Sequence, residues 1–250
     1  MLNEKYDIRT AIYPRSVSSA GTTSIYFNLA KHGTATFIWD IAPTGLTMTS
    51  TGLVYQATDE AGTSGASITA TSTVVYATSN LTEATITPSI SAGETNATVT
   101  INGLTFTAQT AGVTSTTSSR QFTGNTANVS TTITNLAAIV NDDTYGVPGV
   151  RALAGSATLT LYLDEDPVKY LESGYYGMAI TSSNTTDLTI GAAHMQGMIE
   201  VKDSQLTLSS DFTHVALNVI NTSANYTSAV IIRGESRYAA PQQICPRTRI

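Results

Sequence analysis

Residues 98–109, TVTINGLTFTAQ, alternate apolar and polar side chains on either side of Asn102-Gly103. Asn-Gly tolerates the positive φ that both central positions of a type I′ turn require, so the chain reverses there on a two-residue loop. Counting outward sets the register. Ile101 faces Leu104, Val99 faces Phe106 and Ala97 faces Ala108 on one side, with threonines on the other. A hairpin with one apolar face is marginal in water. The rest of the chain must cover it.

Period-two runs recur on both sides of this hairpin. DIRTAIY (7–13), TSIYFNLA (23–30), ATFIWDIA (35–42), GLVYQAT (52–58) and SITATSTVVYAT (67–78) precede it. MIEVKD (198–203), QLTLSS (205–210), THVALNVIN (213–221) and SAVIIRG (228–234) close the chain. Loops rich in Gly and Ser separate the early runs, at 18–21 and 59–65. Many short strands with such turns predict a mainly β protein, a jelly-roll-like β-sandwich. Charged residues are only 12% of the 250, against about 25% in an average protein. Thr and Ser supply polar surface in their place, and β-branched residues bias the chain toward strand.

The middle of the chain has a different period. RQFTG (120–124) reads as one more strand. In NVSTTITNLAAIVNDD (128–143), Val129, Ile133, Leu136, Ala137 and Val140 fall on one helical stripe. That spacing predicts a helix over 129–141, capped by Asn128 or Ser130 and unable to continue through Pro148. VRALAG (150–155) and ATLTLYLDE (157–165) form a second hairpin. Hairpin, helix and hairpin make a small α+β unit whose helix covers the TVTINGLTFTAQ hairpin. The expected organisation is one sandwich built from 1–83 and 169–250, interrupted by an inserted α+β domain at 84–168. Domains in tandem are the alternative.

Chemistry-bearing clusters are scarce. His32, His194 and His214 are far apart, and no HxxxH, CxxC or HExxH spacing occurs. Neither GxSxG nor a glycine-rich phosphate loop is present. Cys245 is the single cysteine, which excludes an internal disulfide, and it reads as a buried or incidental thiol rather than a nucleophile. Asp142-Asp143 and Asp164-Glu165-Asp166 lack the DxDxDG spacing of a calcium loop and read as solvated turn acids. No catalytic residue, metal or cofactor is expected. The net charge of −6 argues against nucleic acid. No apolar run approaches 18 residues, so no membrane span is expected, and MLNEKYDIRT does not begin like a secretory signal. Arg233, Arg237, Arg247 and Arg249 gather late. They are either a solvated tail or a docking site for an acidic neighbour. With Arg9 and Arg15 they are the candidate partner contacts.

Three stretches resemble virion proteins of tailed bacteriophages. YDIRTAIYP…TTSIYFNLAKHGTATFIWDIAP followed by LVYQATDEAGTSGASI is similar to their opening strands and Gly-rich loop. THVALNVINTSANYTSAVIIRGESRYAAP is similar to their final strand pair. ATVTINGLTFTAQ…RQFTG…ITNLAAIVND…GVRALAGSATLTL resembles a hairpin–helix–hairpin insert of phage and flagellar surface proteins. The resemblance implies a jelly-roll head decoration (cement) protein, non-enzymatic, clamping major capsid subunits on the virion surface after synthesis in the host cytoplasm. It further implies association with copies of itself as a dimer or trimer. The insert departs from the smaller members of that group. A tail or fibre component is one competing reading. A carbohydrate-binding surface protein using Trp39 and Tyr175-Tyr176 is another.

Overall fold

The computed structural model describes residues 6–44, 47–76, 81–89, 96–109, 115–124, 128–164, 177–207 and 211–236. Tyr175, Tyr176, Glu165, Asp166, Cys245, Arg237, Arg247 and Arg249 lie outside them. The strands in chain order are β1 (Asp7–Val17), β2 (Thr22–Thr23), β3 (Phe27–Asn28), β4 (His32–Thr44), β5 (Thr49–Ala57) and β6 (Ala66–Tyr76). There follow β7 (Leu81–Pro88), β8 (Thr98–Ile101), β9 (Leu104–Gln109), β10 (Gln121–Thr123), the helix α1 (Val129–Val140), β11 (Val150–Ala154) and β12 (Leu159–Leu163). The last described strands are β13 (Ile180–Ser182), β14 (Leu188–Lys202), β15 (His214–Asn221) and β16 (Asn225–Ser236). The protein is mainly β, with predominantly antiparallel sheets. One holds seven strands in the order β1-β16-β4-β14-β7-β12-β11, one four (β10-β9-β8-β13) and one five (β2-β15-β5-β6).

Two compact units divide the chain. The first comprises 1–39, 51–73 and 198–250; the second comprises 40–50 and 74–197. The second therefore extends past 84–168 at both ends. The reason is β7, which continues across the expected boundary and pairs β12 on one side and β14 on the other. Its alternation buries Leu81, Ala84, Ile86 and Pro88, a pattern that the short TEATIT run hardly advertises.

In the first unit, alternate positions of β4 bury Ala35, Phe37 and Trp39, and β15 buries Val215, Leu217 and Val219. Phe27 meets Phe37 edge to face, with ring centroids 6.4 Å apart. Each such ring contributes about 1.5–3 kcal/mol by leaving water. Gly52 on β5 passes against the Trp39 ring, where a Cβ would lie 2.6 Å from it. Only glycine leaves room for an indole there.

In the second unit the Asn-Gly hairpin has the register that counting predicts, with Ile101 opposite Leu104 and Val99 opposite Phe106. Asn102 and Gly103 take φ of +48° and +80°, the type I′ signature. The Asn102 carboxamide also accepts from the Ala179 N–H at 2.8 Å, tying the turn to the chain just before β13. The helix spans Val129–Val140, with Ile133, Leu136, Ala137 and Val140 buried. Asn128 occupies its N-cap position without a side-chain hydrogen bond. The backbone of α1 runs nearest β11 and β10. It reaches the hairpin through β10, which pairs β9 in parallel. At its C-terminus the Asn141 carboxamide donates to the Ala152 carbonyl at 2.8 Å and accepts from the Ala152 N–H at 2.7 Å. One side chain thus supplies to β11 both hydrogen bonds of a missing strand.

Two expected strands differ. TSIYFNLA forms only the short β2 and β3, both along β15. Ser24 interrupts it: its hydroxyl accepts from the Leu217 N–H at 3.0 Å and donates to the Ile25 carbonyl at 2.7 Å. This is the competition from serine side chains that breaks ladders. QLTLSS is not a strand in its described part. A 3₁₀ turn covers Asp203–Gln205, and the Thr207 N–H goes to the Gln56 side chain at 2.9 Å.

Candidate partner-contact surface

The surface begins at β1, an end strand of its sheet paired to β16. Asp7 faces Arg233, Ile8 faces Ile232 and Thr10 faces Val230, after which the register slips twice before Arg15 meets Thr227. The slips explain why Ala11 and Ile12, neighbours in sequence, are both buried. An extra residue in one strand turns two successive side chains inward. Along β16, Thr227, Ala229, Ile231 and Arg233 point into the first unit, and the positions between them point out. The outward face of this ribbon sets large apolar side chains among Thr10, Ser16 and Ser228. Tyr13 is 76% exposed, Tyr226 65% and Ile8 52%, with Val230 beside them. Exposed large apolar side chains gathered on one ribbon mark a contact surface.

The candidate arginines divide. Arg9 and Arg15 are exposed on β1 but face the inward-pointing Ile231 and Thr227, away from the Ile8 and Val230 side, and the Arg9 Nε donates to both Asp7 carboxylate oxygens at 3.1 and 3.2 Å. Arg15 has no ion pair among the described residues. Arg233 is different: it is buried, and so offers no contact to a partner. Its guanidinium donates to the Asp7 carboxylate and to the Asn28 carbonyl, and lies 5.8 Å from the centre of the Phe27 ring. Alternation, not charge, decides this, because position 233 falls on the inward set of β16. Burial pushes the Asp7 carboxyl up. Hydrogen bonds and charge from Arg9 and Arg233 outweigh that and hold it below the usual carboxylate value. His32, at the start of β4, is pushed down by burial and then by Arg233, Asp7 opposing.

The other candidate residues hold structure. Trp39 is fully buried, which removes it as a sugar platform. Asp142 accepts from the Thr144 and Tyr145 N–H groups at 2.9 and 2.8 Å, closing the turn after α1. The His214 Nδ1 lies 2.9 Å from the Thr213 hydroxyl. No three His, Cys, Asp or Glu side chains among the described residues converge as a metal site would need.

Sequence reasoning missed a row in the second unit. Arg151 faces Tyr162, Tyr162 faces Glu83, and Glu83 faces His194 across β11, β12, β7 and β14. The Arg151 guanidinium sits 5.3 Å from the Tyr162 ring centre. Asp40 on β4 lies within the field of His194; burial pushes its carboxyl up and His194 pulls it down. These residues are strangers in sequence, and only strand pairing aligns them. Arg151 is exposed and Tyr162, Glu83 and His194 are half-buried, so the row offers charge and hydrogen bonds rather than an enclosed reaction site.

No family model, no curated protein and no solved structure matches this chain.

Proposed function

We propose that the protein is a non-enzymatic structural component of a tailed-phage virion, a decoration protein that binds major capsid subunits. One observation carries the reading: the exposed face of the β1–β16 ribbon, where Ile8, Tyr13, Tyr226 and Val230 stand in water, with the exposed Arg9 and Arg15 on the opposite side of the same end strand. Tyrosine and arginine together are the residues that anchor protein interfaces. In this reading the first unit, which carries the ribbon, grips the shell. Repetition over a symmetric shell raises a modest affinity per contact into stable attachment. Neither nucleic acid, membrane nor cofactor takes part.

The test is saturation of empty heads of the phage that encodes it. A fixed number of copies per head, in the hundreds, is the expected result. A few tens of copies at the tail would replace this reading with a fibre component. Failure to bind heads at all would overturn it.

A further inference from the structure

The six strands that end the three sheets are not alike. β1 carries Asp7, Arg9 and Arg15, contains Pro14 with no N–H to offer, and slips register twice. β11 has five residues including the exposed Arg151. β10 and β13 have three each, and β2 has two. Charge, proline, irregular register and shortness are the devices that keep sheet edges from pairing with other chains. β6 has neither charge, proline nor shortness. It ends the five-stranded sheet with eleven residues, ASITATSTVVY, without charge, proline or glycine. Threonine, valine, isoleucine and tyrosine make it as strong a strand former as the chain contains.

We infer that the outer edge of β6 pairs with β6 of a second copy, antiparallel about a two-fold axis, joining two five-stranded sheets into one of ten. An uncharged strand suits itself as a partner. Self-pairing in any register sets no like charges opposite, and the strand offers nothing by which a charged foreign strand would be selected. Centred on Thr71, the pairing sets Thr69 opposite Thr73, Ile68 opposite Val74 and Ser67 opposite Val75. The Ile68–Val74 combination is of the β-branched kind favoured across antiparallel strands. A two-fold uses the same edge on both copies, so association through β6 stops at the dimer. Pairing through β6 requires nothing of a capsid, and head binding and dimer formation can fail separately.

The experiment is sedimentation velocity with light scattering on the full chain, its Ser67→Lys variant and its Val74→Lys variant, both positions being exposed. The wild type is expected at twice the 26.2 kDa chain mass. Each lysine is expected to raise the dimer dissociation constant about tenfold or more, with the circular dichroism and melting temperature unchanged. A wild-type monomer overturns the inference, as does a dimer that persists unchanged in folded variants. Hydrogen exchange on the wild type alone gives the same decision if a variant fails to fold. Amides of 66–76 are expected to lose protection on dilution, and exchange independent of concentration overturns the inference.

Discussion

Arg233 on β16 lies directly opposite Asp7 on β1, and its buried guanidinium donates to the Asp7 carboxylate and lies over the Phe27 ring. A buried charge with one carboxylate partner is costly to orphan. Asp7→Asn is therefore expected to destabilise the protein by about 2 kcal/mol. Arg233→Met is expected to cost less, because it removes the buried charge together with its demand for a partner. Chemical denaturation of the two variants checks the order.

Acid is expected to weaken the same region in two steps. The His32 side chain binds its proton less readily folded than at its ordinary value of 6.5, so the unfolded chain protonates first. Its contribution is intact above that pH and declines as the pH falls below it. The Asp7 carboxyl is held below its ordinary 3.8, so its contribution is present above that value and is lost as pH falls through the folded-state value. Melting temperature against pH should decline from about 6.5 downward. In His32→Gln the first part of that decline should vanish.

Gly52→Ala places a methyl carbon 2.6 Å from the buried Trp39 ring. Overpacking of this kind costs about 1–3 kcal/mol. A lowered melting temperature with altered tryptophan fluorescence is the expected readout. Trp39 is the chain's single tryptophan, so the signal reports this contact alone.

Asn141→Ala should cost about 2 kcal/mol, since it leaves both the N–H and the carbonyl of the buried Ala152 without the partners they now have. Asn141→Asp should recover part of the loss by keeping the acceptor. Equilibrium unfolding of both variants measures it.

Tyr13→Ser combined with Tyr226→Ser should leave stability within about 0.5 kcal/mol, both side chains being exposed. The same pair should weaken binding to phage heads by about tenfold or more. Unchanged head binding would detach the proposed function from this face.

Local patterns in the sequence determined much of this protein. The Asn102-Gly103 turn and its register, the α1 stripe through Ile133, Leu136 and Val140, and the β11–β12 hairpin all follow from contacts a few residues long. For these, backbone geometry and side-chain period leave one solution. Tertiary structure alone decided the rest. Ser24 and Gln56 divert hydrogen bonds that TSIYFNLA and QLTLSS would need as strands, and their partners lie 193 and 151 residues away. The alignment of Glu83 with His194, and the turn of Arg233 inward while Arg9 stays in water, likewise depend on which strands become neighbours. Strand pairing is long-range, and a one-residue change of register reverses every side chain, so no local window carries that information.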